Sequence, residues 1–399
     1  MPLAQTSEES GFGLDGTIIQ RYFSPPPPSP AYIIALTSQF HFVNESVTIS
    51  QLADELKLYP EVWALGVVDQ KKRGIGVIVV SQFQAKLSVA YGREVLGKRL
   101  AKDLMIPARA FDWDTHILSV ANHVEAEVTG VSNCYYLLKN DEGSFAGVFS
   151  SKDLLIEMFR AYQGELKTAT NIQNSLIPET SHWEGDELKI VSWCKMAKGV
   201  GGDFYACQKV HKSHWALMLC DVSGKGLAAS LVTTALAGMF SHYDQNTGFK
   251  PFIQDTNRFL LQAFKMEKYL TGIFIEYHEK EKLLTVYDMG HGHFRLVRDG
   301  VLHSFTSENP FLGFVPDLVP QPKTGVLKSG DLLVVYSDGF VEQQNKNHEE
   351  FGVKRFEKLI TKHANEKLEN LVEEITSQFK EFRGDQPRGD DLTLLLMRV

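Results

Sequence analysis

The chain has 399 residues, 43% hydrophobic and 11% aromatic, which sets aside a disordered or fibrous protein and leaves room for two domains. A formal net charge of −8, from 49 acidic and 41 basic residues, offers no broad basic surface and excludes nucleic acid as the main partner. Four cysteines without a C-x-x-C pair argue against a disulfide framework or a zinc ribbon, and neither a basic leader nor a membrane-length apolar run is present, so the sequence reads as soluble, unprocessed and cytoplasmic.

Residues 1–45 read as a flexible N-terminal arm, polar at the start and carrying the polyproline spacer "SPPPPSP". Residues 46–154 carry a faint internal repeat. The segments "ALGVVDQKKRGIGVIVVSQFQAKL" and "CYYLLKNDEGSFAGVFSSKDLLIEM" both read as strand, polar turn, strand, serine and helix, with an amphipathic helix before each. Aligning Ser81 with Ser150 also aligns Gly74 with Gly143. With the connecting "YGREVLGKRLAKDLM", the region resembles a tandem pair of CBS domains. That resemblance implies an α+β regulatory pair in which Ser150 and Asp153 of "SSKD" bind the ribose of an adenine nucleotide. The same Ser-x-x-Asp pattern is also a helix capping box, and the first copy has Gln84 where the acid would stand.

Residues 155–180 read as a helical linker. Leu155, Phe159, Tyr162, Leu166, Ala169, Gln173 and Leu176 alternate four and three apart, as the seam of a coiled coil does, until Pro178 ends the helix. The seam needs a partner, either a second copy in a homodimer or the adjoining domain.

Beyond the linker, "FYACQKV" and "WALMLCDV" are strand-like with "HKSH" as the turn between them. Asp203 and Asp221 lie equally far from the centre of that turn, so an antiparallel hairpin sets them face to face at its open end. "DLLVVYSDGF" delivers Asp338 at the end of a buried strand, and "RGDDLTLLLMRV" starts another with Asp390 and Asp391. Acids gathered at strand ends suit hard divalent cations, Mg²⁺ or Mn²⁺ rather than zinc, because no histidine or cysteine cluster accompanies them. Each acid alone is also an ordinary turn residue.

From Trp183 to Val399 the motifs "GVGGDFYAC", "LCDVSGKGLAASL", "YDMGHGHFRLVRDG", "NPFLGF", "YSDGFVEQQN", "FGVKRF" and "GDDLTLLLMRV" stand in one order. In them the sequence resembles the metal-dependent serine/threonine phosphatases of the protein phosphatase 2C type, and within these the bacterial SpoIIE-like branch. The resemblance implies that residues 181–399 form a four-layer α-β-β-α sandwich holding two Mn²⁺ or Mg²⁺ ions. Asp203 and Asp221 would be the catalytic ligands shared by both metals, with the Val222 carbonyl, Asp338 and Asp390 completing the set and Asp391 ranking behind Asp390. It implies hydrolysis of phosphoserine or phosphothreonine by a metal-bridged water, on a regulatory partner such as an anti-sigma-factor antagonist. His291 and His293 are candidates for the general acid, against the alternative of loop histidines bonded to backbone.

Two positions depart from the family pattern: Ala206 stands where a further acid is common, and Lys225 where His is common. Ala206 keeps open a catalytically weak, phosphatase-like binding module in a partner-switching pathway. "GGDFY" is shared with diguanylate cyclases, which leaves "SDG" and "GDDLT" unexplained, and "SGKG" lacks the framing of a phosphate loop.

Overall fold

The computed structural model describes residues 17–24, 27, 29–124, 133–211, 213–244 and 246–399. The chain divides into two compact units, Met1–Gln163 and Gly164–Val399.

The first unit runs β1 (Ile19–Arg21), β2 (His41–Asn44), α1 (Ile49–Glu55), β3 (Ala64–Val68), β4 (Gly74–Val79), α2 (Val80–Leu87), α3 (Gly92–Leu96), α4 (Ala101–Leu104), β5 (Ile106–Pro107), β6 (Ala110–Asp112), α5 (Ile117–Val124), β7 (Tyr135–Lys139) and β8 (Phe145–Ser150). Two copies of one pattern are visible. Strand β2 pairs in parallel with β3 across α1 and β3 antiparallel with β4; β6 likewise pairs in parallel with β7 across α5 and β7 antiparallel with β8. The two copies share a core, in which Gly66 makes room for Phe145: a Cβ on Gly66 would stand 2.1 Å from that ring.

The repeat is real, but its register differs from the one its glycines and serines suggest. Val79 closes β4 where Ser150 closes β8, so the counterpart of Gly147 is Gly76, and that of Asp153 is Gln82 rather than Gln84. Residues expected as an arm also turn out to be structured in part. Met1 to Gly16 lie outside the described residues, whereas Ile19, Ile33, Ile34 and Phe42 are buried and β1 and β2 extend the first sheet.

Helix α6 (Ser151–Leu176) is continuous, and the division between the units falls within it. At its start Ser150 and Asp153 satisfy one another. The Ser150 hydroxyl and backbone N–H donate to the Asp153 carboxylate at 2.7 and 2.9 Å, and the Asp153 N–H donates to the Ser150 hydroxyl at 3.3 Å. This is the reciprocal capping box, which here engages the hydroxyl and the carboxylate a ribose would use. Along the seam Leu155, Phe159 and Tyr162 are exposed, while Gln173 is buried within the second unit rather than open to a coiled-coil partner.

The second unit continues with β9 (Thr180–Glu184), β10 (Lys189–Lys195), β11 (Asp203–His211), β12 (His214–Val222), α7 (Leu227–Phe240), α8 (Phe249–Phe264), β13 (Leu270–His278), β14 (Leu283–Met289), β15 (Phe294–Arg298), β16 (Val301–Ser304), β17 (Lys323–Val326), β18 (Leu332–Tyr336), α9 (Gly339–Glu342), α10 (Val353–Lys362), α11 (Leu368–Arg383) and β19 (Leu392–Arg398). One sheet has the order β16-β15-β18-β19-β10-β9 and the other β11-β12-β13-β14-β17. Strand alternation sorts their apolar side chains into distinct clusters. Leu217, Leu219, Ile273 and Ile275 of one sheet meet Leu333, Val335, Leu395 and Met397 of the other. The opposite face of the five-stranded sheet packs Met218, Cys220 and Phe274 against Val232 and Leu236 of α7 and Ile253 of α8. The far face of the six-stranded sheet packs Val334, Leu394 and Leu396 against Phe356 of α10 and Ile375 of α11. Among the described residues no helix is long and apolar enough to cross a membrane.

Candidate active site

The hairpin of β11 and β12 has the register that its symmetry about the turn requires: Asp203 lies directly opposite Asp221. Lys212 at the tip lies outside the described residues, and a register shift sits between Lys209 and His211, too far from the open end to disturb it. In the other sheet β18 and β19 pair from Leu332 with Arg398 to Tyr336 with Leu394, so Asp338 just past β18 and Asp390 and Asp391 just before β19 share one end. A Cβ on Gly339 would stand 2.1 Å from the Asp391 carbonyl oxygen and 3.1 Å from Asp390 Cβ, which is how closely these two ends approach.

The ends of the two sheets are tied together by hydrogen bonds. Thr393 donates its hydroxyl to Asp203 Oδ2 at 2.5 Å, and its N–H takes the Ser337 hydroxyl as acceptor at 2.9 Å. Asp391 accepts from the N–H groups of Ala197 and Gly202, both at 2.7 Å, and so holds the glycine loop that leads into Asp203. Gln173 of α6 grips the same loop, accepting from Gly201 N–H at 3.0 Å and donating to Gly201 O at 2.9 Å and to Thr233 of α7 at 3.0 Å. Ser337 and Thr393 were not singled out by sequence reasoning, and Gln173 was read only as a seam position of the linker helix. The first two flank the acids within "SDG" and "DDLT", which is the one signal available.

The electrostatics of the cluster are those of buried acids that repel one another. Burial pushes Asp203 well above the ordinary carboxylate range, and Asp221 and Asp391 push it further, against the hydroxyls of Thr393 and Ser337. Asp221 is pushed up to about 8 by burial and then by Asp338, Asp390 and Asp391. Asp338 reaches about 6, through burial, Glu342 and Asp390. Burial also raises Asp391, against the two N–H groups that it accepts. Among the described residues, the one cation paired with these acids is Lys225, whose Nζ lies 2.7 Å from Asp390 Oδ2. Burial works against its charge, but Asp390, Asp391 and Asp338 outweigh this and raise its pKa.

This donor set fits divalent cations. Buried carboxylates that repel one another are stabilised by a positive ion, and oxygen donors suit Mg²⁺ or Mn²⁺. The backbone contributes too: a Cβ on Gly202 would stand 2.6 Å from the Val222 carbonyl and 3.2 Å from that of Gly224, so glycine keeps these oxygens clear. Among the described residues no three acidic, histidine or cysteine side chains are gathered closely enough to ligate one ion, and Asp390 pairs with Lys225.

Ala206, three residues after Asp203, falls on the other face of β11. It pairs with Met218 and packs into the helix-facing cluster, so its missing carboxylate takes nothing from the group of acids. His291 is buried, with one ring nitrogen 3.0 Å from the Thr271 hydroxyl and the other 3.0 Å from the Tyr336 carbonyl. Burial and His293 lower it to about 3, and burial and Arg295 lower His293 to about 4. Both are neutral near pH 7 and carry no imidazolium proton to donate, which leaves His291 as a brace between the two sheets.

Residues 211–399 match the family described as "Stage II sporulation protein E (SpoIIE)". Among curated proteins, "Phosphoserine phosphatase RsbU" of Bacillus subtilis is 25% identical over 274 residues, covering 63% of this chain and 80% of that one. "Phosphoserine phosphatase RsbP" of the same organism is 22% identical over 242 residues, covering 59% of this chain and 58% of its own length. Among solved structures, the SiaA-PP2C domain of Pseudomonas aeruginosa aligns with a TM-score of 0.52 at 20% identity, covering 61% of this chain and 98% of that domain, and so shares its fold. The match of residues 211–399, the phosphatase relatives and the shared fold together support a protein serine/threonine phosphatase.

Proposed function

We propose that the chain is a metal-dependent protein phosphatase that removes phosphate from phosphoserine or phosphothreonine on a regulatory partner protein, in the manner of a partner-switching pathway, from a four-layer α-β-β-α domain. One observation carries the reading: acids from two separate sheets meet at one end, with Asp203 register-paired to Asp221 and hydrogen-bonded through Thr393 to the strand that follows Asp390 and Asp391. Asp203, Asp221, Asp338, Asp390 and the Val222 carbonyl would hold two Mn²⁺ or Mg²⁺ ions. When bound, such ions supply a water of lowered pKa and neutralise phosphoryl oxygens. The chain's own part is positional. Asp391 and Gln173 fix the glycine loop, Thr393 aims Asp203, and His291 holds β13 to β18 beneath the acids.

The N-terminal repeat would be the sensor, a CBS-like pair, with an adenine nucleotide as the ligand class its fold resemblance implies. Any nucleotide bound at Ser150 and Asp153 has to open the capping box. A weak, phosphatase-like binding module is the poorer reading, since Ala206, its one motive, faces away from the acids.

Hydrolysis of a small aryl phosphate tests the core of the reading, because it needs no knowledge of the partner. Turnover should appear with Mn²⁺ and vanish in EDTA. Turnover that survives complete chelation would overturn it.

A further inference from the structure

We propose that Lys225 is a resident cation of the acidic cluster, which occupies Asp390 in the metal-free protein and is displaced when a divalent ion loads. The inference rests on reading the cluster as a metal site, and it assigns a role to one of the two positions that depart from the pattern the sequence resembles.

Geometry supports it on three counts. The Lys225 ammonium lies 2.7 Å from Asp390 Oδ2 and donates to the Gly389 carbonyl at 2.5 Å, so it bridges to the segment that opens β19. Glycines flank it, Gly224 and Gly226 at φ of +85° and +76°, a left-handed backbone that turns the loop after Val222 back across the acids. Among the described residues no other lysine or arginine pairs with any of the five aspartates, so this ammonium is their one counter-charge.

A lysine can serve in this way because its charge sits on a flexible stem. The side chain is 40% exposed, so water is at hand to receive the ammonium when it lets go. A single positive charge offsets only part of the repulsion among five acids, and a divalent ion offsets more, which sets the direction of the exchange. Coupling between two ligands of one site is reciprocal: whatever Lys225 contributes to holding Asp390 is subtracted from the affinity for the metal. Lys225 therefore sets the cation concentration at which the enzyme loads, and keeps the unloaded site from pushing itself apart.

The test is a calorimetric titration of Mn²⁺ into the EDTA-stripped, dialysed full chain, comparing the parent with Lys225→Met, which keeps the stem without the charge, and Lys225→Arg, which keeps the charge. The Met protein should bind Mn²⁺ several-fold more tightly and melt at a lower temperature in EDTA, with the Arg protein close to the parent. If Lys225 instead only steadies the Gly389 segment, the Met protein will bind Mn²⁺ equally or more weakly, and the inference falls while the metal-site reading stands. A parent protein that binds no Mn²⁺ overturns both.

Discussion

The hairpin of β11 and β12 ends in two different ways. At the open end two carboxylates face each other; at the turn end His211 faces His214, and His214 faces His278 of β13 with the rings stacked at 4.2 Å. Seven residue steps along β12 lead from His214 to Asp221, roughly 23 Å at about 3.3 Å per step. Each end sets like groups side by side in one sheet, yet only the acid end calls for a cation. An imidazole relieves repulsion by giving up its proton near neutral pH, and burial together with His278 does lower His214. A buried aspartate is relieved by keeping a proton far above its usual range, as Asp221 does, or by taking a counter-cation.

The comparison is broken most sharply by paired substitutions. Asp221→Asn removes a carboxylate that would serve both cations, and should lower kcat/KM for an aryl phosphate by about 10³-fold, the rate equivalent of losing several kcal/mol of charge stabilisation. The same change should raise the melting temperature of the metal-free protein, because a repelling acid is gone. His214→Phe should leave turnover within a few-fold of the parent. Equal losses from the two ends would show that the acids act only through stability.

The two ends also predict opposite pH responses in EDTA. Asp221 at about 8 in the folded chain, against 3.8 in the unfolded one, means that the folded state holds the extra proton, so stability falls as pH rises from about 4 to about 8. His214 at the turn end, lowered from 6.5, works the other way: the unfolded chain takes up a proton that it refuses, and stability falls as pH drops below 6.5. The window from 6.5 to 8 therefore belongs to the acids alone. There the metal-free melting temperature should decline by several degrees, and saturating Mn²⁺ should flatten the slope. A metal-free slope of opposite sign would contradict the burial assigned to Asp221.

How much of this could be read beforehand follows from which signals are local. Asp203 and Asp221 were legible because a hairpin's register is fixed by counting from its turn, and Asp338 and Asp390 because buried apolar runs announce where strands end. Thr393, Ser337 and Gln173 were not, since a threonine, a serine and a glutamine gain their roles only when two sheets and a helix meet. The repeat was found but set out of register, because its matching glycines and serines do not hold equivalent places: β4 ends on Val79 and β8 on Ser150. Around "SPPPPSP" composition misled, as a proline run says nothing of Ile33 or Phe42, whose burial depends on residues as distant as Phe145.

The smallest expected effect concerns helix α6, whose halves differ as the ends of the hairpin do. Near its start Leu155, Phe159 and Tyr162 are 69%, 62% and 53% exposed, an apolar stripe that costs solvation unless something covers it. Near its end Gln173 is 2% exposed and holds both the N–H and the carbonyl of Gly201, next to the residue that precedes Asp203. A helix with one such stripe and one such grip can pass a change of pairing to the glycine loop, provided that the stripe is a dimer seam. Phe159→Glu places a charge on the exposed half, where it disturbs no buried contact, so the fold should survive. Sedimentation should then show a dimer turned to monomer, with turnover of the aryl phosphate altered a few-fold at the same Mn²⁺ concentration. If parent and variant sediment alike as monomers with equal turnover, α6 is a passive tether, and Gln173 serves the local order of the glycine loop alone.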